Sequence, residues 1–155
     1  MPKREFESLD SLKAVVGQEV AVTDWFTMTQ DRIQAFADAT LDHQWIHVDV
    51  ERAKRESPFK APIAHGFLTL SLLAHFMQQA VSVKSGVRMG VNYGMNKMRF
   101  VSPVRVGSNI RARFVLQGLK EIEPSGIEAT YNATIECEGS DKPACVAEWL
   151  VRYYR

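Results

Sequence analysis

The sequence predicts an α+β protein in which one curved antiparallel sheet wraps around a long central helix. Two observations predict this fold. Residues 61–82 are apolar around nearly the whole circumference of a helix, which is typical of a helix that other elements cover. Four segments with strand character follow, separated by short turn-forming pieces, and such an order favours an antiparallel sheet.

The first part of the chain predicts one strand and two peripheral helices. Residues 18–28 are rich in β-branched and aromatic side chains, as strands are. Thr29, or Thr27, can cap the start of a helix that begins with the sequence QDRIQAF. A loop over residues 39–49 and a short helix over DVERAKRE lead to Ser57-Pro58, which ends that helix.

The central helix and the strands after it supply the core. One stripe of the helix is formed by Phe67, Leu70, Leu73, Ala74, Met77 and Val81. Leu68, Leu72 and Phe76 fill much of the remaining circumference. The predicted strands lie within residues 91–100, 109–122, 126–139 and 144–154.

A sheet wrapped around one helix is the hot-dog arrangement, and we expect a single domain of this kind over residues 1–155. Hot-dog units usually pair edge to edge, which also removes an exposed sheet edge. A homodimer is therefore expected, with the ligand pocket near the subunit interface.

Composition excludes several classes of function. Hydrophobic residues make up 46% of the 155 residues and charged residues 24%, which is typical of a globular protein. The formal net charge is +1 with no basic block, so no nucleic-acid or membrane partner is expected. We expect no transmembrane helix and no signal peptide, and we expect the two cysteines to be reduced thiols. These features favour the cytoplasm.

The segment ATLDHQWIHVD, residues 39–49, carries the first chemical signal. Asp42 and His47 are five residues apart, which does not place them on one helical face. A loop can bring them together, and a carboxylate and an imidazole aimed at one point can hold and activate a water. The alternative is structural: Asp42 caps a turn, and His47 is a half-buried histidine with satisfied hydrogen bonds.

The segment IAHGF, residues 63–67, lies where the central helix begins. The first amides of a helix have no partners within it, and the helix dipole favours negative charge there. The amide of Gly66 can therefore hold a carbonyl oxygen that gains charge during a reaction. The alternative is that Gly66 only permits tight packing while His65 caps a turn.

Together these segments resemble the MaoC-like, (R)-specific enoyl-CoA hydratase family of hot-dog proteins. The matching residues run from Ala39 to His47 and from Ala61 to Phe67. The sequence DHQWIHVD is most similar to that of a nodulation-protein-N-like branch, which includes actinobacterial hydroxyacyl-thioester dehydratases. That likeness continues through residues 91–100 and 142–148.

The resemblance implies reversible hydration of a trans-2-enoyl thioester to an (R)-3-hydroxyacyl thioester. Asp42 and His47 would share the catalytic water, and the Gly66 amide would hold the thioester oxygen. The resemblance implies no metal and no redox cofactor. The acyl group would be carried by coenzyme A or acyl carrier protein.

Five further residues are expected to contact substrate: Trp45, His65, Phe67, Asn92 and Asn96. The two asparagines are four apart, and thus on one face of a regular strand, where asparagine is otherwise disfavoured. One departure from the family stands before the aspartate, where Leu41 replaces the usual glycine. Glycine allows backbone conformations that leucine tolerates poorly, so the loop shape and substrate range depend on this position.

Three alternatives stay open at this point. A hot-dog thioesterase would use the same fold, with Asp42 driving water onto the thioester carbonyl. A non-catalytic acyl-thioester binding subunit is a second alternative, and Leu41 is the feature that favours it. A metal held by Asp42, His47 and His65 is the third, but no cysteine pair or H-x-x-x-H helix accompanies these residues.

Overall fold

The computed structural model describes residues 2–155. Its helices are α1 (Gln30–Thr40), α2 (Trp45–Val48), α3 (Val50–Glu56) and α4 (Gly66–Ala80), and a 3-10 helix spans Leu9–Val15. Its strands are β1 (Arg4–Phe6), β2 (Glu19–Val22), β3 (Phe26–Thr27), β4 (Val81–Val83), β5 (Met89–Phe100), β6 (Asn109–Ile122), β7 (Gly126–Cys137) and β8 (Cys145–Tyr154).

One antiparallel sheet carries the fold. Its strands follow the order β2-β6-β7-β8-β5, and the short β3 also pairs with β6. The four long strands and the central helix confirm the predicted hot-dog fold. The parallel pair of β1 and β4 lies outside this sheet, and the sequence pattern did not predict it.

The first predicted strand is divided, so the expectation of one continuous strand over residues 18–28 is wrong. The break lies between β2 and β3, at Thr23. The Thr23 hydroxyl accepts a hydrogen bond from the Ala112 amide at 2.9 Å, and the Thr23 amide donates to the Ala112 carbonyl at 3.0 Å. A side-chain oxygen thus takes the place of a ladder carbonyl, and the strand is interrupted there.

The helix α4 buries one side against the sheet. Its buried residues are Leu68, Thr69, Leu72, Leu73, Phe76 and Met77. The predicted stripe is only partly covered, because Phe67 is 64% exposed and Leu70 and Ala74 are half-buried. A single chain therefore leaves one side of this apolar helix open. Within residues 2–155, no helix combines the length and apolar character needed to cross a membrane.

The edge strand β5 is irregular. Its pairing with β8 shifts register between Asn92 and Gly94 and again between Met95 and Lys97. Such irregularities bend a strand and increase its local twist. The two asparagines are consequently not equivalent: Asn92 pairs opposite Val151, whereas Asn96 lies at the second shift.

The two cysteines are unpaired thiols, as the sequence predicts, and they lie on neighbouring strands. Cys137 ends β7, and Cys145 begins β8. Burial raises the pKa of the Cys145 thiol to about 11. This thiol is therefore protonated and unreactive at neutral pH.

Candidate active site

The loop that follows α1 is shaped by a left-handed residue. Thr29 caps the start of α1, as predicted, by accepting a hydrogen bond from the Arg32 amide. At the other end Leu41 is the C-cap, with φ 66° and ψ 19°. Glycine usually occupies this conformation because a Cβ atom strains it. Leu41 adopts it nevertheless, and its side chain is 81% exposed.

Asp42 follows directly and has an exposed carboxylate. One carboxylate oxygen accepts a hydrogen bond from the Gln44 amide at 3.3 Å. The turn-capping role considered for Asp42 is thus present, but the contact engages only Oδ1. The other oxygen remains available for a ligand or a water.

His47 lies in α2 and is only 6% exposed. Its Nδ1 lies 2.7 Å from the backbone carbonyl of Ile63. Because a carbonyl can only accept a hydrogen bond, Nδ1 carries a proton and donates it. When the ring is neutral, Nε2 is therefore unprotonated and able to act as a base.

His65 is fixed in a similar way. Its Nε2 lies 2.9 Å from the backbone carbonyl of Asp42, so Nε2 is the protonated nitrogen. His65 is 3% exposed, and its Nδ1 is buried without a hydrogen-bond partner among residues 2–155. His65 occupies the N-cap position of α4 without a side-chain capping bond to that helix, and its side chain instead bonds the carbonyl of the turn after α1.

The three side chains converge although they come from two segments of the sequence. One ligand atom from each of Asp42, His47 and His65 lies within 4.8 Å of the others. The two imidazoles stack with centroids 3.8 Å apart and an interplanar angle of 20°. Phe36 of α1 packs against His65 at a centroid distance of 4.9 Å, so one wall of the cluster is apolar.

The stacking is unfavourable for a shared metal ion. An imidazole nitrogen binds zinc along its lone pair, in the ring plane, at about 2.0–2.1 Å. Two nearly parallel rings direct their lone pairs into separate planes. One ion could therefore not meet both His47 and His65 unless a ring rotated away from its carbonyl partner.

The environment lowers the pKa of His47 below its ordinary value. Burial is the largest cause, and the neighbouring His65 acts in the same direction. The hydrogen bond to Ile63 and the carboxylate of Asp42 oppose it. The neutral ring is favoured in the folded protein, which is the form that a general base requires.

Gly66 is the first residue of α4. Its amide has no intrahelical partner, and no hydrogen bond within residues 2–155 engages it. A Cβ atom at this position would lie 2.8 Å from the ring of Phe100. Close packing therefore requires glycine here and leaves the amide, with the positive end of the helix dipole, open to a ligand.

A cavity of about 230 Å³ begins beside this helix start. Phe67 and Asn92, two of the predicted substrate contacts, line it together with residues of α4 and Trp149. Asn96 is not among its lining residues. Trp45 lies elsewhere, under the guanidinium of Arg52 at 4.2 Å.

Some contributing residues could not be identified from the sequence. The Gln30 side-chain amide donates to the His47 carbonyl at 2.8 Å, and thereby ties α1 to α2. Ile63 acts through its backbone carbonyl, and Phe100 through its contact with Gly66. A polar residue in the first turn of α1 was the only sequence signal for any of these roles.

Comparison with known proteins places this architecture in a family. Residues 11–137 match the profile of the family described as "MaoC like domain". The 3-hydroxyacyl-thioester dehydratase Z of Mycobacterium tuberculosis is 52% identical over 150 residues, which cover 97% of this chain and 98% of the relative. Nodulation protein N of Rhizobium meliloti is 46% identical over 92% of this chain and 89% of its own length. The chain belongs to the MaoC-like family.

Solved structures agree with this assignment. The (R)-hydratase from A. caviae superposes with a TM-score of 0.70 at 26% identity, over 88% of this chain and 94% of the hydratase. The monoamine oxidase regulatory protein from Archaeoglobus fulgidus has a TM-score of 0.77 at 23% identity, over 100% and 99% of the two chains. The predicted hot-dog fold and the predicted hydratase or dehydratase class are thus confirmed.

Replacing Leu41 by glycine should stabilise the protein. The left-handed conformation costs an L-residue about 1–2 kcal/mol, and the greater freedom of glycine in the unfolded chain offsets about 0.4–1 kcal/mol. We therefore expect Leu41→Gly to raise the free energy of unfolding by roughly 0.5–1 kcal/mol, as measured by urea denaturation. Leu41→Ala is the control, because it keeps the strain and should give no gain. Equal stability of the two variants would refute strain as the cause.

The pKa of His47 should depend on the stacked imidazole of His65. By NMR, we expect the titration midpoint of His47 to lie below the ordinary histidine value of about 6.5. In the variant His65→Gln the midpoint of His47 should rise, because the neighbouring imidazole, which opposes a positive charge on His47, is removed. Because the unfolded chain binds this proton more readily, His47 also makes the fold less stable as pH falls below about 6.5. A midpoint at or above the ordinary value in the unaltered protein would contradict this description of the site.

Proposed function

We propose that this protein catalyses the reversible hydration of trans-2-enoyl thioesters to (R)-3-hydroxyacyl thioesters. The observation that carries the proposal is the convergence of Asp42, His47 and His65, together with the donation by His47 Nδ1 that leaves Nε2 of the neutral ring as the base. The dehydratase named for the M. tuberculosis relative and the (R)-hydratase from A. caviae support this reaction and its stereochemistry. The whole chain, residues 1–155, would act as one hot-dog domain.

In the hydration direction, one water lies between Asp42 and His47. It donates one hydrogen bond to the carboxylate and the other to Nε2 of the imidazole. As its oxygen bonds to the β-carbon, the proton moves to His47 Nε2, and the π electrons move toward the thioester carbonyl. The imidazolium then returns the proton to the α-carbon, while Asp42 stays ionised and stabilises the imidazolium.

The thioester oxygen gains negative charge in this step. The amide of Gly66 would donate a hydrogen bond to it, and the dipole of α4 would stabilise the same charge. No metal or redox cofactor takes part, because the thioester itself makes the α-position acidic. The chemistry requires only a proton acceptor, a proton donor and a site for the oxyanion.

The acyl chain would enter the cavity beside α4, where Phe67 and Asn92 line the wall. His65 would contact the substrate or the water through its free Nδ1. Trp45 and Asn96 lie outside this cavity, so any contact of theirs would be with the coenzyme A or acyl carrier protein portion. In this arrangement the side chain of Leu41 is exposed and does not disturb the approach of Asp42 to His47.

Asp42→Asn and His47→Gln should each reduce hydration by about two to four orders of magnitude, the usual contribution of a positioned acid or base. The chain supplies matched controls. Asp38 of α1 and His43 of the following turn form an exposed pair 2.9 Å apart, so Asp38→Asn and His43→Gln should retain activity. Circular dichroism verifies folding. Near-normal turnover in either site variant would refute the role of that residue.

The assay is the loss of enoyl-thioester absorbance with crotonyl-CoA and with a longer trans-2-enoyl-CoA, followed by chiral analysis. Formation of the (R)-3-hydroxyacyl-CoA supports the proposal. Release of free thiol without hydration would instead identify a thioesterase. If neither reaction occurs with coenzyme A thioesters or with acyl carrier protein thioesters, the remaining alternative is a non-catalytic binding subunit.

The open edge of the sheet supports assembly into a homodimer. The edge strand β5 exposes Val91 and Tyr93, and the neighbouring Phe100 and Phe67 are also exposed. Pairing of two such edges would satisfy the free backbone groups of β5 and cover the open side of α4. The acyl cavity, which lies between these two elements, would then face the subunit interface.

Light scattering after size exclusion should give twice the 17.5 kDa mass of one chain. Val91→Lys places a charge on the proposed interface and should shift the equilibrium toward the monomer. Val16→Lys is the control, because Val16 is 43% exposed against 42% for Val91 but lies at the end of the 3-10 helix. A stable monomer of the unaltered protein would exclude the dimer.

A further inference from the structure

The turn that carries Asp42 has few ties to the rest of the molecule. Its residues, 41–44, are all exposed. The side-chain hydrogen bonds of Asp42 and His43 stay within residues 38–44. In the described part of the chain, a single hydrogen bond joins this turn to a segment distant in sequence. The Nε2 of His65 donates it to the Asp42 carbonyl at 2.9 Å.

His65 can hold this turn because its own position is fixed. Its ring packs against Phe36 at a centroid distance of 4.9 Å and stacks on His47 at 3.8 Å. Its backbone carbonyl accepts hydrogen bonds from the amides of Leu68 and Thr69, in the first turn of α4. A ring fixed by two aromatic neighbours and by the start of a helix gives its hydrogen bond a defined direction.

The turn also has a conformation that it does not favour on its own. Leu41 precedes Asp42 with φ 66°, in the left-handed region, where the Cβ atom of an L-residue crowds the following carbonyl group. Without an external contact a leucine favours a negative φ, and such a rotation would move the Asp42 carboxylate away from His47. One net hydrogen bond is comparable in free energy to this strain, so loss of the contact from His65 is enough to shift the balance.

We infer that His65 is a positioning residue, which holds the strained turn through the Asp42 carbonyl and thereby aims the Asp42 carboxylate at the catalytic water. The inference rests on the proposed function, in which Asp42 and His47 share that water. One side chain then sets both partners, since the ring that bonds the backbone of Asp42 also stacks on the imidazole of His47. This role is separate from a contact between the Nδ1 of His65 and the substrate.

Two substitutions separate the hydrogen bond from the stacked ring. His65→Phe keeps a ring but has no donor, whereas His65→Gln loses the ring but keeps an N–H donor. We expect kcat for crotonyl-CoA to fall about ten- to hundredfold in His65→Phe, the usual effect of a misplaced reacting group, with KM nearly unchanged. His65→Gln should be about three- to tenfold more active than His65→Phe, which is what one net hydrogen bond provides.

The variants are compared on the plateau of kcat above the pKa of His47, where its imidazole is neutral in each of them. This condition matters because both substitutions remove the neighbouring imidazole, which lowers the pKa of His47. His43→Phe is the matched control, since His43 lies in the same turn but its ring bonds only Asp38, and kcat should not change. Circular dichroism verifies that every variant folds.

Leu41→Gly tests whether the strain is the reason that the turn needs His65. Glycine adopts a positive φ without strain, so the turn keeps its shape without the contact. Added to His65→Phe, Leu41→Gly should restore kcat about fivefold or more, the population ratio that the strain represents. In the unaltered protein the same substitution should leave kcat unchanged, because His65 already holds the turn.

Urea denaturation measures the same coupling independently of catalysis. With His65 present, Leu41→Gly removes strain and should stabilise the protein. In the His65→Phe background the turn has already relaxed, so the gain in stability should be absent.

Equal gains in the two backgrounds, equal loss of kcat in His65→Phe and His65→Gln, or no rescue by Leu41→Gly would each overturn the inference. Failure of the proposed function is a separate result. In that case the unaltered protein would hydrate no thioester, while the stability comparison would still decide whether His65 holds the turn.

Discussion

The hydrogen bond from His47 Nδ1 to the Ile63 carbonyl, 2.7 Å long, joins the two segments from which the site is built. The amide of Ile63 in turn donates a hydrogen bond to the carbonyl of Ile46 at 3.1 Å. Ile63 is thus held by α2 on one side and bridges antiparallel to Arg105 on the other. Because Gly66 follows three residues later, the position of the helix start is set by this short segment. The proposed base, His47, and the proposed oxyanion donor, Gly66, thereby have a fixed separation although neither touches the other.

Both histidines illustrate how backbone groups set side-chain chemistry. A carbonyl oxygen fixes one ring nitrogen of His47 as a donor, and the Asp42 carbonyl does the same for His65. Each ring then presents an unprotonated nitrogen when neutral. The stacking of the rings adds a second constraint, since a positive charge on one disfavours a charge on the other. The resulting site keeps His47 neutral and disfavours a second positive charge.

Much of the fold could be predicted from periodicity. The presence of α4, the long strands β6 and β7 and the cap at Thr29 follow from local sequence preferences, which tertiary contacts reinforce. The far end of α4 was placed too late, because the helix ends at Ala80 and Val81, predicted on its stripe, begins β4. The break at Thr23 could not be predicted, because it depends on a hydroxyl meeting the amide of Ala112, 89 residues away. The parallel pair of β1 and β4 was missed for the same reason: three-residue strands carry almost no pattern of their own.

Part of the site could be predicted from the sequence alone. Asp42, His47 and Gly66 stand out by type and spacing, and the structure brings the first two together. The sequence places Asn92 and Asn96 on one face only if the strand is regular, and this condition is not met, because two register shifts intervene. The stack of His47 on His65 and the tie from Gln30 depend on the tertiary arrangement of three helices. No spacing within the chain encodes them.

The irregular edge strand also affects how readily a single chain aggregates. A long, flat, apolar edge is a template for any extended segment, including those of other unfolded chains. The register shifts of β5 divide its edge into short regular runs, between Met89 and Asn92 and between Lys97 and Phe100. An arbitrary strand cannot follow both runs in register. Only a surface with matching bends can do so, and a newly synthesised chain is thereby protected from aggregation.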